Sequence, residues 1–521
     1  MFPLAAVEWK DALTLKSVFV LALPEAVLLA VACIVFLGGT AKASRQIWGV
    51  VSLVGLGLAA LLAWNVGVPE HFKPGESPLL TDHLAEFVRW LSLSGGAAFV
   101  LLCWDDLRDE QAADFFACFL ILVAGVSLSG AANELITLFL SLELISIPTY
   151  VLLYLPKVNK PAQEAAIKYF LLSVFSSALL LFGFSYLYGV AGTTNLSELF
   201  QTQGDARSVP GLFVVAVVMI VAGLGFRITA VPFHFYAPDV IQGAPTSLGA
   251  ILAFVPKIAG FAALTRLLGL MQPLGATNLV SDSQVSLLLW VLAVITMTVG
   301  NVLGLLQFNL KRILAYSSVA HAGYMLIGLA AATELHNEDN AGKMFGTDAV
   351  LFYLVAYGAM TVGAFAVLQY LSTSARSVET VDDAAGLGRS HPVLALALAL
   401  FLFSLIGIPL TAGFSGKLQL FFSALEVKRA PDTQPLFVIL AVVAAVNAAI
   451  GAYYYLRIVA AMFLREQLKP HQLPVRVPAL AAIAICAVVT VIFGIYPLPL
   501  ANLTRAAGAP TSVLPQYQAA R

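Results

Sequence analysis

About fourteen stretches of some 20 mostly apolar residues follow one another along this chain. Each is long enough to cross a hydrocarbon layer of roughly 30 Å as a helix rising about 1.5 Å per residue. They lie near residues 18 to 37, 46 to 67, 84 to 104, 112 to 130, 134 to 155, 164 to 189, 211 to 238, 243 to 270, 286 to 306, 312 to 332, 348 to 371, 392 to 425, 436 to 463 and 478 to 497. The joints, such as Gly38 to Arg45, Pro156 to Pro161 and Lys428 to Pro435, are too short for a globular domain. Composition agrees: 60% of the 521 residues are hydrophobic and 11% charged, against about 45 to 50% and 25% in a soluble domain. A water-soluble fold has too little interior for so many apolar side chains. An all-α membrane protein with about 14 transmembrane helices is expected, its surroundings a lipid bilayer.

The rest of the composition excludes several chemistries. Lys and Arg number 28 and Asp and Glu 29, a net charge of −1, so there is no basic footprint for nucleic acid. Cys33, Cys103, Cys118 and Cys486 sit in or beside apolar runs without a C-x-x-C pair. That leaves no zinc knuckle, iron–sulfur cluster or disulfide framework, and the four read as small packing residues. No G-x-G-x-x-G follows a strand and no Walker A sequence occurs; Gly413 to Lys417 ends in Gly-Lys but lacks the spacing and lies in an apolar run. The expected chain moves ions while the energy is made elsewhere, with no cofactor or metal of its own.

Lys10 and Lys16 before the first run and Ala41-Lys42-Ala43 after it resemble a cleavable signal. The run's length and the Pro24-Glu25 interruption favour a retained helix. With fourteen spans both termini share one side. Loops of the other side carry Lys42, Arg45, Arg108, Lys157, Lys160, Lys311, Arg312, Arg376, Arg389, Arg465, Lys469 and Arg476, whereas loops of the terminal side carry Lys73, Arg207, Lys343, Lys428 and Arg429. The positive-inside rule then places the termini outside the cytoplasm.

Two runs are interrupted at matching places, the seventh around Pro232 and the twelfth around Pro409. Proline lacks an N–H and clashes with the preceding turn, so each helix is expected to break there and free backbone groups that need water or protein partners. Each break is expected to border a wet cavity. Runs four to eight and nine to thirteen hold five helices each, with the broken member fourth in both. An odd number per repeat inverts the second copy, so the spacing suggests two inverted five-helix repeats with two related half-channels; the family resemblance given below implies that they are antiporter-like. The expected division is a three-helix segment over 1–110, repeats over 111–270 and 271–465, and a last helix with its tail over 466–521.

An ionisable group at membrane depth is costly and points by default to function. Glu143, Lys168, Arg227, Lys257 and Lys417 lie within runs five, six, seven, eight and twelve, and His321 lies in run ten. A lysine that gains or loses a carboxylate partner in a desolvated place can be driven to bind or release a proton. Glu143, the only carboxylate deep in the first half, reads as modulator, Lys168 and Lys257 as carriers and Lys417 as the terminal carrier. The duller readings are a lysine snorkelling to the interface, nearest at hand for Lys168, and a histidine that only bonds a carbonyl and packs. Arg457 reads as structural, and Tyr453, Tyr454 and Tyr455 beside it as an interfacial belt. Glu25, Glu86 and Glu134 sit at run ends, where a helix N-terminus stabilises a carboxylate.

Three blocks carry a family resemblance. Gly223 to Arg227 with Val231 to Pro245 (VPFHFYAPDVIQGAP) and Lys257 form the first, Lys311 to Tyr324 (KRILAYSSVAHAGY) the second, and Gly407 to Lys417 (GIPLTAGFSGK) the third. In order over a full set of spans, they resemble the proton-translocating membrane subunits of NADH:quinone oxidoreductase, respiratory complex I. Pro238-Asp239-Val240, Gly243-Ala244-Pro245 and a lysine in the broken twelfth helix resemble the N-type branch, also called chain 2. The resemblance implies proton transfer by Glu143, Lys168, Lys257 and Lys417 and a bacterial cell (inner) membrane. It also implies M-type and K-type membrane neighbours and a peripheral redox arm, with NADH, flavin, iron–sulfur clusters and quinone in partner subunits.

At one position the chain departs from the family, which usually has lysine where Arg227 stands. Arginine stays protonated and cannot carry a proton. Either Arg227 is a fixed counter-charge for Glu143 or this half-channel is altered. Rival readings are a subunit of a multi-chain cation/proton antiporter, the equivalent subunit of a ferredoxin-dependent complex, and a scaffold bundle without transport.

Overall fold

The computed structural model describes residues 18–41, 43–65, 77–156, 159–201, 210–267, 282–335, 346–372, 378–427, 434–466 and 475–509. The described residues are helical apart from joints and three isolated β-bridges. The helices are α1 (Leu23–Gly38), α2 (Arg45–Asn65), α3 (His83–Cys103), α4 (Asp109–Ala131), α5 (Leu135–Tyr154), α6 (Lys160–Ala191), α7 (Pro210–Arg227), α8 (Ala237–Gly243), α9 (Thr246–Leu267), α10 (Asp282–Leu305), α11 (Leu310–Leu335), α12 (Thr347–Leu371), α13 (Pro392–Ile406), α14 (Ala412–Leu425), α15 (Gln434–Leu464), α16 (Val477–Ile495) and α17 (Leu498–Gly508), with short helices at Leu196–Gln201 and Leu387–Ser390 between them. Twelve of them, α1 to α6, α9 to α12, α15 and α16, are long and apolar enough to cross a membrane.

Local chemistry sets the helix ends. Asn159 caps α6 by accepting from the Ala162 N–H at 3.0 Å, Pro161 occupies its first turn, and Gly192 closes it at φ 73. Asp82 caps α3 in the same way, accepting from Ala85 N–H at 2.9 Å. The runs around Pro232 and Pro409 each fall into two pieces, α7 with α8 and α13 with α14, whereas Pro148 and Pro256 sit inside the unbroken helices α5 and α9. Beyond Arg227 the chain takes Thr229 at φ 59; beyond Ile406 it takes Gly407 at φ 93 and Leu410 at φ 69. A side chain in this left-handed region costs on the order of 1 to 2 kcal/mol, so Thr229 and Leu410 mark a strained backbone at both breaks.

Packing places those breaks at the centre. Every residue in the membrane-spanning window of α11 is buried, and α9 and α12 are nearly so, whereas α1, α6, α15 and α16 bury about a third or less of theirs. Helix α11 pairs tightly with α10, and α12 touches α9, α13, α14, α16 and α17. Buried ion pairs fasten α1 to α3 and the start of α3 to α9. Arg89 Nε donates to Glu25 Oε1 at 2.8 Å and Ser127 Oγ donates to the same oxygen at 2.5 Å. Arg266, in the last turn of α9, holds the Asp82 carboxylate with two nitrogens and also reaches Gly130 O.

Several expectations change here. Glu25 does lie in the first turn of α1, but it is 1% exposed and carries a full ion pair. Tyr454 and Tyr455 are no interfacial belt: both are buried, and only Tyr453 faces outward. They turn inward because their hydroxyls find partners on α10 and α11, as described below. Arg457 is structural, capping carbonyls Leu305 O and Gln307 O at the end of α10 and lying 5.0 Å over the Phe308 ring. Cys103 and Cys486 pack inside, while Cys33 is exposed on the outer face of α1. Helix α17, a short piece between two prolines and Gly508, was not foreseen in the sequence; Thr347 Oγ1 donates to Gly508 O at 2.7 Å and ties it to α12. Lys10, Lys16, Lys42, Lys73, Lys157, Arg207, Lys343, Arg376, Lys428, Arg429 and Lys469 lie outside the described residues.

Candidate functional site

At the first break, the carbonyl of Ile228 has no helical turn ahead of it. Lys257, from the middle of α9 and wholly buried, donates to that carbonyl at 3.1 Å, to Thr229 Oγ1 at 2.6 Å and to Ser318 O of α11 at 2.9 Å. Three donors therefore meet three acceptors. Gly260, one turn further along α9, allows this approach: a Cβ there would stand 2.6 Å from Ile228 Cγ2 and 3.1 Å from Arg227 Cβ. The second break repeats the arrangement. Lys417, in α14, donates to Leu405 O at 2.8 Å and Ile406 O at 2.9 Å, the last carbonyls of α13, and its Nζ lies 4.9 Å over the Tyr324 ring. The proline breaks thus supply carbonyls, and a lysine from the following helix takes them.

Between the two lysines runs α11. Ser318 touches Lys257, and one turn later His321 sits at 1% exposure among tyrosines. His321 Nδ1 is 2.5 Å from Tyr353 OH and Nε2 3.1 Å from Tyr455 OH, and Tyr455 OH lies 2.5 Å from Ser317 Oγ. The Tyr353 ring stacks on the imidazole. Tyr324 OH, under Lys417, accepts from Asn301 Nδ2 at 3.1 Å, and Tyr454 OH donates to Asn301 Oδ1 at 3.0 Å. This is more than the carbonyl bond of a packing histidine, since both ring nitrogens face hydroxyls.

On the other side of Lys257, Arg227 ends α7 at 2% exposure and donates from Nη2 to Glu143 Oε1 at 3.3 Å. Ser177 Oγ of α6 donates to the same oxygen at 2.5 Å. Arg227 Nη1 has no partner, nor do the hydroxyls of Tyr150, Tyr169 and Ser173. Each such buried group costs roughly 1 to 3 kcal/mol.

The structure brings Glu143, Arg227, Lys257, His321 and Lys417 into one succession across α5, α7, α9, α11 and α14, with Pro232 and Pro409 in the loops behind the lysines. Lys168 stands apart. It is eight residues into α6, its side chain is 39% exposed, and it pairs with Glu164 at 2.7 Å and Asp239 at 2.8 Å. Asp239, on the half-helix α8, also takes Arg312 of α11 at 2.7 Å. Sequence reading missed Asp239 and Arg312 as partners, although both stood inside the quoted blocks. It also missed Thr229, Tyr353, Tyr324 and Tyr455, for which an apolar run gives no signal.

A polytopic helical protein with ionisable groups in its interior, at paired helix breaks, is built like a secondary transporter or an ion-translocating membrane subunit. The family model for the transmembrane region of NADH:quinone oxidoreductase and Mrp antiporter subunits matches residues 132–447, and the chain belongs to that family. It is 37% identical over 469 residues to NADH-quinone oxidoreductase subunit N of Trichlorobacter lovleyi, covering 89% of this chain and 90% of that protein. It is 34% identical over 496 residues to the subunit N of Nitrosomonas europaea, covering 94% and 98%. A chain of respiratory complex I from Thermus thermophilus with bound aureothin superposes at TM-score 0.74 with 30% identity, covering 93% of this chain and 99% of that one. A chain of the Mrp complex from a Dietzia species reaches TM-score 0.78 at 20% identity over 95% and 97%, a likeness of fold. The resemblance drawn from the three sequence blocks is borne out.

Proposed function

We propose that this chain is a proton-translocating membrane subunit of a NADH:quinone oxidoreductase, resident in a bacterial inner membrane with both termini outside the cytoplasm. Electron transfer from NADH to quinone takes place in partner subunits, which hold the flavin, clusters and quinone site. M-type and K-type subunits flank it, and it spends the redox-linked change by passing protons along its own interior. Two inverted repeats, over 111–270 and 271–465, each supply one broken helix and one lysine.

The observation that carries the reading is the pair of lysines held on the carbonyls of broken helices. An ammonium at the bilayer centre costs about 3 kcal/mol on insertion scales. Hydrogen bonds to a charged group contribute on the order of 1.5 to 3 kcal/mol each, so three acceptors at Lys257 offset that cost without a permanent carboxylate. Such a lysine holds a proton without being locked to it. His321 lies between the lysines with a hydroxyl on each nitrogen, so it can accept at one and release at the other. Glu143 carries the modulating charge with Arg227 as its fixed counter-charge, and Lys168 with Asp239 stands at the mouth.

The related antiporter reading rests on the fold it shares with the Mrp chain. It is disfavoured because the more similar relatives are quinone oxidoreductase subunits. Purification in mild detergent tests the assignment: flavin and iron–sulfur subunits are expected to accompany the chain, and their absence alongside other antiporter-type subunits overturns it.

A further inference from the structure

Lys257 has three oxygen acceptors, whereas Lys417 has two, the carbonyls of Leu405 and Ile406, and meets the face of the Tyr324 ring in a third direction. An aromatic face attracts an ammonium and does little for a neutral amine. The ring therefore favours the protonated form of Lys417, and how strongly depends on where the ring stands.

That place is fixed from α10. Asn301, at 1% exposure, donates from Nδ2 to Tyr324 OH at 3.1 Å, and also to Met297 O at 2.9 Å and Asn447 Oδ1 at 3.3 Å. Its Oδ1 accepts from Tyr454 OH at 3.0 Å. Two backbone carbonyls decide which way both amides point: Met297 O requires an N–H from Asn301, and Val443 O takes one from Asn447 Nδ2 at 3.0 Å. Asn301 thus turns its donor to Tyr324, and a flipped amide would leave buried acceptors unmet. Glycines bring the helices this close. A Cβ on Gly300 would stand 2.6 Å from Ala320 N, one on Gly323 would collide with Met297 N, and one on Gly451 of α15 would stand 2.9 Å from Asn301 Oδ1.

We propose that Asn301 is a positioning residue for Lys417: by holding the Tyr324 hydroxyl it keeps the ring face on the ammonium, and so sets how tightly Lys417 holds its proton. This role rests on the proton-carrying reading of Lys417 above. Of the other helices packed against α14, α11 carries His321, α12 Tyr353 and Tyr357, α15 Tyr454 and Tyr455, and α16 Cys486, while α13 has no ionisable side chain. His321 lies within electrostatic reach of both Lys417 and Lys257. Lys311, Arg312 and Glu334 of α11, Asp348 of α12 and Arg457 of α15 stand towards the helix ends. None of these carboxylates is placed to take over from the ring.

The pH profile of translocation by the assembled complex tests the role. Removing the ring with Tyr324→Leu is expected to move the alkaline limb about one unit towards lower pH, since a proton held less tightly is lost sooner as pH rises. Asn301→Leu and Tyr324→Phe keep a ring but release it. Each is expected to move the limb the same way by a smaller amount, equal in the two, and the pair together no further than either alone. A limb left in place by any of the three, or shifts that add in the pair, overturns the positioning role. Tyr324→Phe removes a single bond and reports even if Asn301→Leu does not assemble. A density map of the Tyr324→Phe complex is expected to show the ring turned away from Lys417, and a ring still lying over the ammonium overturns the anchor. The map judges Asn301 even if Lys417→Met leaves translocation intact, an outcome that strikes the proton-carrying reading instead.

Discussion

Lys257 is held by chain geometry as much as by its own chemistry. Its acceptor Thr229 adopts φ 59 and itself donates to Ile228 O at 2.6 Å, so one strained residue arranges two of the three acceptors. Thr229→Val keeps the branch and removes the oxygen, at a cost of roughly 1 to 3 kcal/mol to the protonated lysine. Translocation by vesicles carrying that variant is expected to fall severalfold in a pH-dye assay, with assembly preserved. For Arg227, the counter-charge role predicts that Arg227→Lys leaves the protons moved per electron unchanged, read as the ratio of dye response to quinone reduced. Lys257 and Lys417 were legible in the sequence because a charge inside an apolar run is conspicuous. Thr229 and Tyr455 were not, because a hydroxyl costs an apolar run little and shows its role only when another helix arrives.

Among the elements, the breaks were legible and their partners were not. Runs seven and twelve divide just before Pro232 and Pro409, where proline removes a donor and obstructs the preceding turn. Proline alone does not decide it, since Pro148 and Pro256 stand inside unbroken helices. That the freed carbonyls would meet lysines depends on how α9 lies against α7 and how α14 folds back on α13, which no local pattern encodes. Gly407→Ala probes the second break: the residue stands at φ 93, and an added Cβ would lie 3.2 Å from Lys417 Cδ. A loss of about 1 to 2 kcal/mol is expected from the backbone alone, seen as a lower thermal unfolding temperature, with slower translocation from the displaced lysine. The attachment of α1 is testable too. Arg89→Ala leaves the Glu25 carboxylate buried and unpaired, which costs on the order of 3 to 5 kcal/mol. A marked fall in the unfolding temperature of the purified complex is expected, whereas an unchanged value would show the pair to be dispensable.

For the whole molecule, composition alone identified the solvent, because the abundance of apolar side chains leaves lipid as their surroundings. The helical order followed from run lengths, while α17 and the short helices at Leu196–Gln201 and Leu387–Ser390, too short to register as spans, escaped notice. The central position of α11 was not legible: its moderate hydropathy reflects polar residues that face other helices, and burial on every side is a property of the assembly. Nor did the sequence separate Lys168 from the interior row, since eight residues into a helix is compatible with either depth. What unites the account is the claim that two lysines, each seated on the end of a broken helix, carry protons through the membrane. The most direct test is proton translocation by reconstituted complex in which Lys257→Met and Lys417→Met have been introduced, each assembled to the level of the unaltered protein. A drop of at least about tenfold, the effect of some 1.4 kcal/mol on a barrier, is the predicted result. Translocation at the original rate and stoichiometry with both lysines replaced would contradict it.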